Sequence, residues 1–502
     1  TMANRAALIR GGNMGQSVGP ANSAPFEAID AYVAQQMRRL RLPGVALAVV
    51  DEGRIVHQRG FGQTRPQGAP PTPQTPFYIG SLTKSFTALA VMQLVEAGRI
   101  ELDAPVRCYL PWFRVADAQA SAAITVRHLL NQTSGLPTSA GEIPLADFDA
   151  SPGAAERQMR ALAALELARA PGAAFEYSNA NYNLLGLIIE AVAGQPYAGY
   201  VERHILAPLG MSRATTDPAA AERNGLAVGY RYWFAVPVAA PAIPVAAGSL
   251  AGGMLIASAD DMARYLIAML NDGGDSDAPL LSPAGMAELH RGAAEVTAYG
   301  LKLGRYAMGW YDTEIGGTRL LWHSGILPHF FAYMALLPQR KRGVVLLCNA
   351  DSHWMSPVLM ELGTGVTALL AGETPPSLPV VGLIPWLLRG LLLIPLLQVI
   401  GLIAGWRLWR RGAAPPERRL NGARGPELHA LLSPIMSLAP ALCLKPLLSR
   451  RRGYLRLYMP DYYWIALISG GLAAVGSFVL AGVGLRARRK ETAPRGARSP
   501  EK

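Results

Sequence analysis

Ser81 and Lys84 stand three residues apart in FYIGSLTKSFTALAVMQLVEAG, residues 77–98, where an apolar helix begins. Residues three apart share a helix face, so both side chains can enter one cavity. A serine hydroxyl attacks a carbonyl at neutral pH only when a base within hydrogen-bond reach takes its proton. Lysine titrates near ~10 in water and is no base there, but desolvation lowers that value. Taken alone, the pair reads first as a helix start followed by a solvated lysine.

Two further clusters change that balance. Tyr177 and Asn179 open YSNANYNLLGLIIEAVAG, just before a second helix of apolar period, and His323-Ser324-Gly325 opens HSGILPHFFAYMALLPQ. Tyrosine, like lysine, titrates near ~10, and an adjacent ammonium favours the tyrosinate. Ser-x-x-Lys, Tyr-x-Asn and His-x-Gly, in that order and about 95 and 145 residues apart, form the pattern of the serine β-lactamase and penicillin-binding-protein superfamily. The chain most resembles its class C β-lactamase-like branch, which also holds D-alanyl peptidases and the family VIII carboxylesterases. Residues 124–137 (ITVRHLLNQTSGLP), 185–211 and 246–266 agree with that branch, so the resemblance spans about residues 25–370.

The resemblance implies that Ser81 is the acylated nucleophile, that Lys84 shares its proton, and that Tyr177 is the general base that later activates the deacylating water. Asn179 would orient Lys84 and the substrate. Beyond His323 and Gly325, the Ile326 amide would join that of Ser81 in holding the oxyanion. No metal and no organic cofactor is called for. One departure bears on substrate. β-Lactamases usually carry Lys-Thr-Gly in the third motif, where the lysine faces the substrate carboxylate. Here His323 takes that place and is mostly neutral at pH 7, which points to a neutral ester. Trp310, Trp322, Phe330 and Phe331 lie near in sequence and are candidates to wall an apolar acyl pocket.

The elements that must position these residues are readable from pattern. A helix over about 25–40 precedes GVALAVVDEGRIVHQRGFG, two β-rich runs joined by Asp51-Glu52-Gly53, which reads as a hairpin. Residues 330–351 repeat the form as strand, basic turn and strand. Periodic segments near 82–97, 153–168, 182–193, 259–271 and 282–290 lie between. Strands at both ends with helices between predict an α+β domain over 25–372. Its antiparallel sheet would be closed by the two ends, flanked by helices, with a helical subdomain inserted. The pattern GQSVG at 15–19 matches a nucleophile elbow but lacks the flanking strand and helix, so Ser17 is read as coincidence within a flexible segment 1–24.

Of 502 residues, 51% are hydrophobic and 16% charged, too apolar for a disordered chain. The net charge of +12 does not signal nucleic acid, because residues 381–502 hold 19 Lys and Arg against 5 Asp and Glu, leaving 28 against 30 for residues 1–380. Three cysteines, Cys108, Cys348 and Cys443, give no disulfide framework and no metal spacing. After a linker at 373–385, segments 386–406 and 461–485 are about long enough to cross a bilayer, and 428–448 is a weaker third. Terminal Trp386, Trp406, Trp409, Tyr462, Tyr463 and Trp464 fit interfacial anchoring. The arginine-rich side, 407–424 and the tail 486–502, should be cytoplasmic, which puts the catalytic domain on the extracytoplasmic side of a bacterial-type cell membrane.

The expected function is therefore a membrane-anchored serine esterase taking a small-molecule ester or amide, with the lipid bilayer as partner and no obligatory protein partner evident. Two alternatives use the same machinery. One is a β-lactamase, D-alanyl carboxypeptidase or D-aminopeptidase, and the other is a membrane penicillin sensor that acylates without turnover.

Overall fold

The computed structural model describes residues 24–244, 246–271, 279–298, 301–376, 379–410 and 452–491. Ser17, Cys443, the weaker segment 428–448 and residues 492–502 of the basic tail lie outside the described residues.

Eight strands form one antiparallel sheet: β1 (Gly44–Asp51), β2 (Arg54–Gly62), β3 (Ala294–Ala298), β4 (Leu301–Tyr306), β5 (Tyr311–Ile315), β6 (Thr318–Leu327), β7 (Phe330–Leu337) and β8 (Arg342–Cys348). Their spatial order is β2-β1-β8-β7-β6-β5-β4-β3. The two ends of the domain meet where β1 pairs with β8, Val45 opposite Cys348 and Asp51 opposite Arg342. The β1–β2 turn forms at Glu52 and Gly53, which both take positive φ, 49° and 73°, as a two-residue hairpin turn demands. The basic turn between β7 and β8 is a short 3-10 stretch, Pro338–Arg340.

Side chains alternate across a strand, so the sheet feeds two cores. On the back, α1 (Ala24–Leu40) and the helix α6 (Ser356–Leu370) cover Val45, Leu47, Phe331, Tyr333 and Leu346. On the front lies the inserted helical region, with α2 (Thr83–Glu96), α3 (Thr138–Ala146), α4 (Asn179–Ala193) and α5 (Ala259–Leu270). The sequence suggested one apolar face for α2, but it is buried on nearly every side from Thr83 to Met92. A helix between a sheet and a helical layer has no solvent face to keep polar. The periodic run 153–168 yields only Ala154–Arg160 and a 3-10 turn through Ala164, ahead of an extended stretch.

The same alternation corrects the expected acyl pocket. Phe331 is fully buried in the back core and Trp322 packs against it from the edge, stacked on Tyr311 and Tyr333. Both sit on the face of the sheet opposite His323. Trp310 is buried against Tyr265 and His290, and Phe330 against Phe77 and Tyr78. The sheet thus separates Trp322 and Phe331 from His323, while Phe330 lines a cavity beside Tyr78 and Ile243.

C-terminal to α6, Pro379–Gly382 and Ile384–Gly390 are short helices, so helix begins inside the stretch read as a linker. They lead into α7 (Leu393–Arg410). Then come α8 (Arg452–Tyr458) and α9 (Pro460–Glu491). Among the described residues, Pro379–Ala404 is long and apolar enough to cross a membrane, with mean hydropathy 2.2 and only 11% of its apolar window buried. α7 packs along α9, and the buried Gln398 amide donates to the Ser469 carbonyl at 3.3 Å, a polar tie between apolar helices.

Candidate active site

Ser81 lies not in the first turn of α2 but in the 3-10 turn Gly80–Leu82 that runs into it. The tighter turn brings its main chain against β6. Gly80 takes φ +54°, and a Cβ there would lie 2.6 Å from the Ile326 nitrogen. Gly325 answers from the strand, since a Cβ on it would fall 1.9 Å from the Ile79 carbonyl oxygen. Only two glycines allow this approach, which brings the Ile326 amide up to the chain that carries Ser81.

Lys84, one turn on and fully buried, reaches three acceptors. Its Nζ is 2.9 Å from Ser81 Oγ, 2.7 Å from Asn179 Oδ1 and 2.5 Å from the Gly252 carbonyl oxygen. Among the described residues no carboxylate joins them, and burial holds the amine well below its ordinary range. From the other side the Tyr177 hydroxyl donates to Ser81 Oγ at 2.8 Å. Burial raises the Tyr177 phenol, opposed by its bond to Ser81, so Tyr177 keeps its proton at rest.

Proton bookkeeping favours a neutral Lys84. If Lys84 were an ammonium donating to Ser81 while Tyr177 did the same, the serine proton would have no acceptor among these groups. With Lys84 neutral, its two N–H groups satisfy Asn179 and Gly252, and its lone pair receives the Ser81 proton. The arrangement can thus deprotonate Ser81 through Lys84, while Tyr177 holds a proton ready to give.

A polar network fixes the Tyr177–Asn179 segment. The Gln132 side-chain oxygen accepts from the Ser178 amide and from Asn181, which also takes a bond from Ser134. Thr138 at the start of α3 donates to the Tyr177 carbonyl at 2.7 Å. The α3 backbone crosses the start of α4 so closely that a Cβ on Gly141 would lie 2.5 Å from the Asn179 nitrogen.

His323 is 2% exposed, with Nδ1 2.6 Å from the Ser324 carbonyl and Nε2 3.3 Å from the Tyr306 hydroxyl. A carbonyl accepts only, so Nδ1 carries the proton and Nε2 accepts from Tyr306. Burial lowers His323 to about 3, and it is neutral at physiological pH. Its ring sits among Tyr177, Tyr306 and Tyr311, with centroids 6.4, 6.0 and 5.2 Å away. Phe175 tilts onto Tyr306 at 5.3 Å.

The structure therefore gathers Ser81, Lys84, Tyr177 and Asn179 by hydrogen bonds, and Gly325 and Ile326 by backbone contact. Sequence reasoning missed Tyr306, Tyr311 and the Gly252 carbonyl. The adjacent glycines of AGGM were the one available sign of Gly252, since paired glycines mark close backbone approach.

The family description Beta-lactamase matches residues 29–357. Protein flp of Staphylococcus aureus (strain MW2) is 29% identical over 345 residues, which cover 68% of this chain and 66% of that protein. The chain thus spans just under two thirds of the length of this relative. Esterase EstB of Burkholderia gladioli is 38% identical over 199 residues, 36% of this chain and 49% of that enzyme. Among solved structures, the octameric penicillin-binding protein homologue from Pyrococcus abyssi aligns with a TM-score of 0.60 at 29% identity, over 70% of this chain and 78% of that one. The D-amino acid amidase from Ochrobactrum anthropi SV3 aligns with a TM-score of 0.60 over 70% of this chain and 99% of that one. At 24% identity it shares the fold.

Proposed function

Because the chain belongs to the Beta-lactamase family, we propose that it is a serine hydrolase that cleaves carboxylic esters through an acyl-enzyme on Ser81, anchored to a membrane by its C-terminal helices. The observation that carries this reading is Ser81 Oγ held between the buried Lys84 amine at 2.9 Å and the Tyr177 hydroxyl at 2.8 Å.

Neutral Lys84 takes the Ser81 proton as Oγ attacks the ester carbonyl. The developing oxyanion is held by the amides of Ser81 and Ile326. Collapse breaks the bond to the alkoxide, which takes a proton from Tyr177 as Tyr177 is refilled from the Lys84 ammonium. The alcohol leaves, and Lys84 is neutral again. Water then gives a proton into the same pair, attacks the acyl carbon and releases the acid, and Ser81 recovers its proton. Asn179 and Gly252 hold the amine on axis throughout. No step needs a metal or an organic cofactor.

The neutral His323 supports an ester over a carboxylate-bearing β-lactam or peptide, because it offers no fixed positive charge and both its nitrogens are engaged. The name of the Burkholderia relative, an esterase, agrees. The apolar stretch Pro379–Ala404 and its pairing with α9 support anchorage, with the catalytic domain on the extracytoplasmic side by the distribution of arginines.

The test is hydrolysis by the full chain of short and medium p-nitrophenyl esters beside nitrocefin, with and without Ser81→Ala. Ester turnover lost in the variant, with little nitrocefin cleavage, supports the reading. Fast nitrocefin cleavage would make the chain a working β-lactamase, and a long-lived adduct on Ser81 without turnover a sensor.

A further inference from the structure

The short helix α8, just ahead of α9, does not project away from the catalytic domain. It packs on α3, the helix that holds the Tyr177 carbonyl through Thr138 and crosses Asn179 at Gly141. Leu455 and Tyr458 are buried, and Tyr454 stacks on Tyr458 with centroids 4.4 Å apart. The domain clasps the α8–α9 junction at two points. The His353 amide donates to the Tyr458 carbonyl at 2.9 Å, and the Phe234 amide donates to Asp461 Oδ2 at 2.9 Å.

Tyr458 is one of the two buried side chains of α8. Its hydroxyl is buried with no hydrogen-bond partner. Burial above all raises it. Around the clasp, apolar side chains stand in the open: Trp354 next to His353, Val236 and Val238 just past Phe234, and Trp464, Leu467 and Ile468 on α9. Isolated exposed apolar residues need no explanation, but these flank the foot of an apolar helix pair. Arg452 and Arg456 are exposed one turn apart on α8.

We infer that the catalytic cleft opens at the bilayer surface beside α8, and that its substrate is a membrane-resident ester with a long acyl chain. The inference rests on the serine hydrolase reading and names the substrate class of that same site. A long chain entering along Trp354 and α8 need not pass through water, where every exposed methylene is unfavourable. Buried Tyr458, whose carbonyl accepts from His353, anchors α8 on the domain beside this route. The basic pair on α8 faces the headgroup layer, where aromatic and basic side chains settle.

The full chain, reconstituted in phosphatidylcholine vesicles, tests this with two probes: 4-methylumbelliferyl oleate dissolved in the bilayer and 4-methylumbelliferyl acetate in the buffer. The expected result is a kcat/KM for the oleate ester at least about tenfold above that for the acetate. Tyr458→Ala and, separately, the surface change Trp354→Ser should each lower the oleate-to-acetate ratio by about fivefold or more. An acetate preference in the wild type, or a ratio that neither variant moves, overturns the inference while leaving the hydrolase reading intact. Turnover of neither ester by the wild type overturns both.

Discussion

Lys84 donates to the Asn179 side-chain oxygen at 2.7 Å across 95 residues of chain, and no anion shares that contact. A neutral acceptor leaves the buried amine free to lose its charge. Asn179→Asp would set a carboxylate there and favour the ammonium, raising the Lys84 value. The acid limb of the kcat/KM profile for a short ester should therefore move to higher pH, and activity at pH 7 should fall. A limb that stays in place or moves down would show that Lys84 is not the base whose ionisation the profile reports.

Lys84→Arg should abolish turnover, by a factor of about a thousand or more in kcat/KM. A guanidinium stays charged at any working pH and cannot accept the Ser81 proton. Burst kinetics with p-nitrophenyl acetate would check the acylation step directly. A variant retaining more than about a tenth of the wild-type rate would assign the base elsewhere.

Gly325→Ala should weaken catalysis and stability together. The added methyl would fall 1.9 Å from the Ile79 carbonyl, so β6 must move away from the turn that carries Ser81. Loss of one oxyanion donor costs about a hundredfold or more in kcat. The expected signature is a fall in kcat with a smaller change in KM, and a lower urea midpoint. Unchanged kcat would separate the oxyanion site from Ile326.

Acid should destabilise the fold through its buried histidines. His290, His323 and His329 are each lowered to about 3, first by burial. Between about 6.5 and 3 the unfolded chain binds protons that the folded one refuses, so stability is complete above that window and is lost as pH falls through it. His329 has both ring nitrogens unpartnered and sits at φ +74°, in the region glycine prefers. His329→Gly should therefore lose less of its urea midpoint between pH 7 and pH 4.5 than the wild type loses. An equal loss would place the acid sensitivity elsewhere.

Much of this was legible before any coordinates. The hairpin at Glu52-Gly53 follows from turn chemistry, a short-range property, whereas Ser81, Lys84, Tyr177 and Asn179 stood out through the order and spacing of three motifs that resemble a known superfamily. The face of β6 was not legible. His323 and Trp322 are neighbours in sequence and occupy opposite sides of the sheet, and only the register with β7, His323 opposite Met334, decides which side meets Ser81. Tyr306 and Tyr311 reach His323 from two strands whose sequence carries no motif. The direction of proton sharing was hidden for a similar reason. It depends on how dry the surroundings of Lys84 and Tyr177 are, and dryness is set by residues far along the chain.

The pairing of β1 with β8 also sets an order of events during synthesis. Val45 waits about 300 residues for Cys348, so the central sheet cannot close until β8 has left the ribosome. Until then β1 presents a nearly continuous run of valine, alanine and leucine with one edge unpaired, a template for the wrong neighbour. The apolar stretch from Pro379 emerges only about 30 residues after β8 ends. Maturation of the chain is thus a race in which the last strand must dock before β1 finds a wrong neighbour.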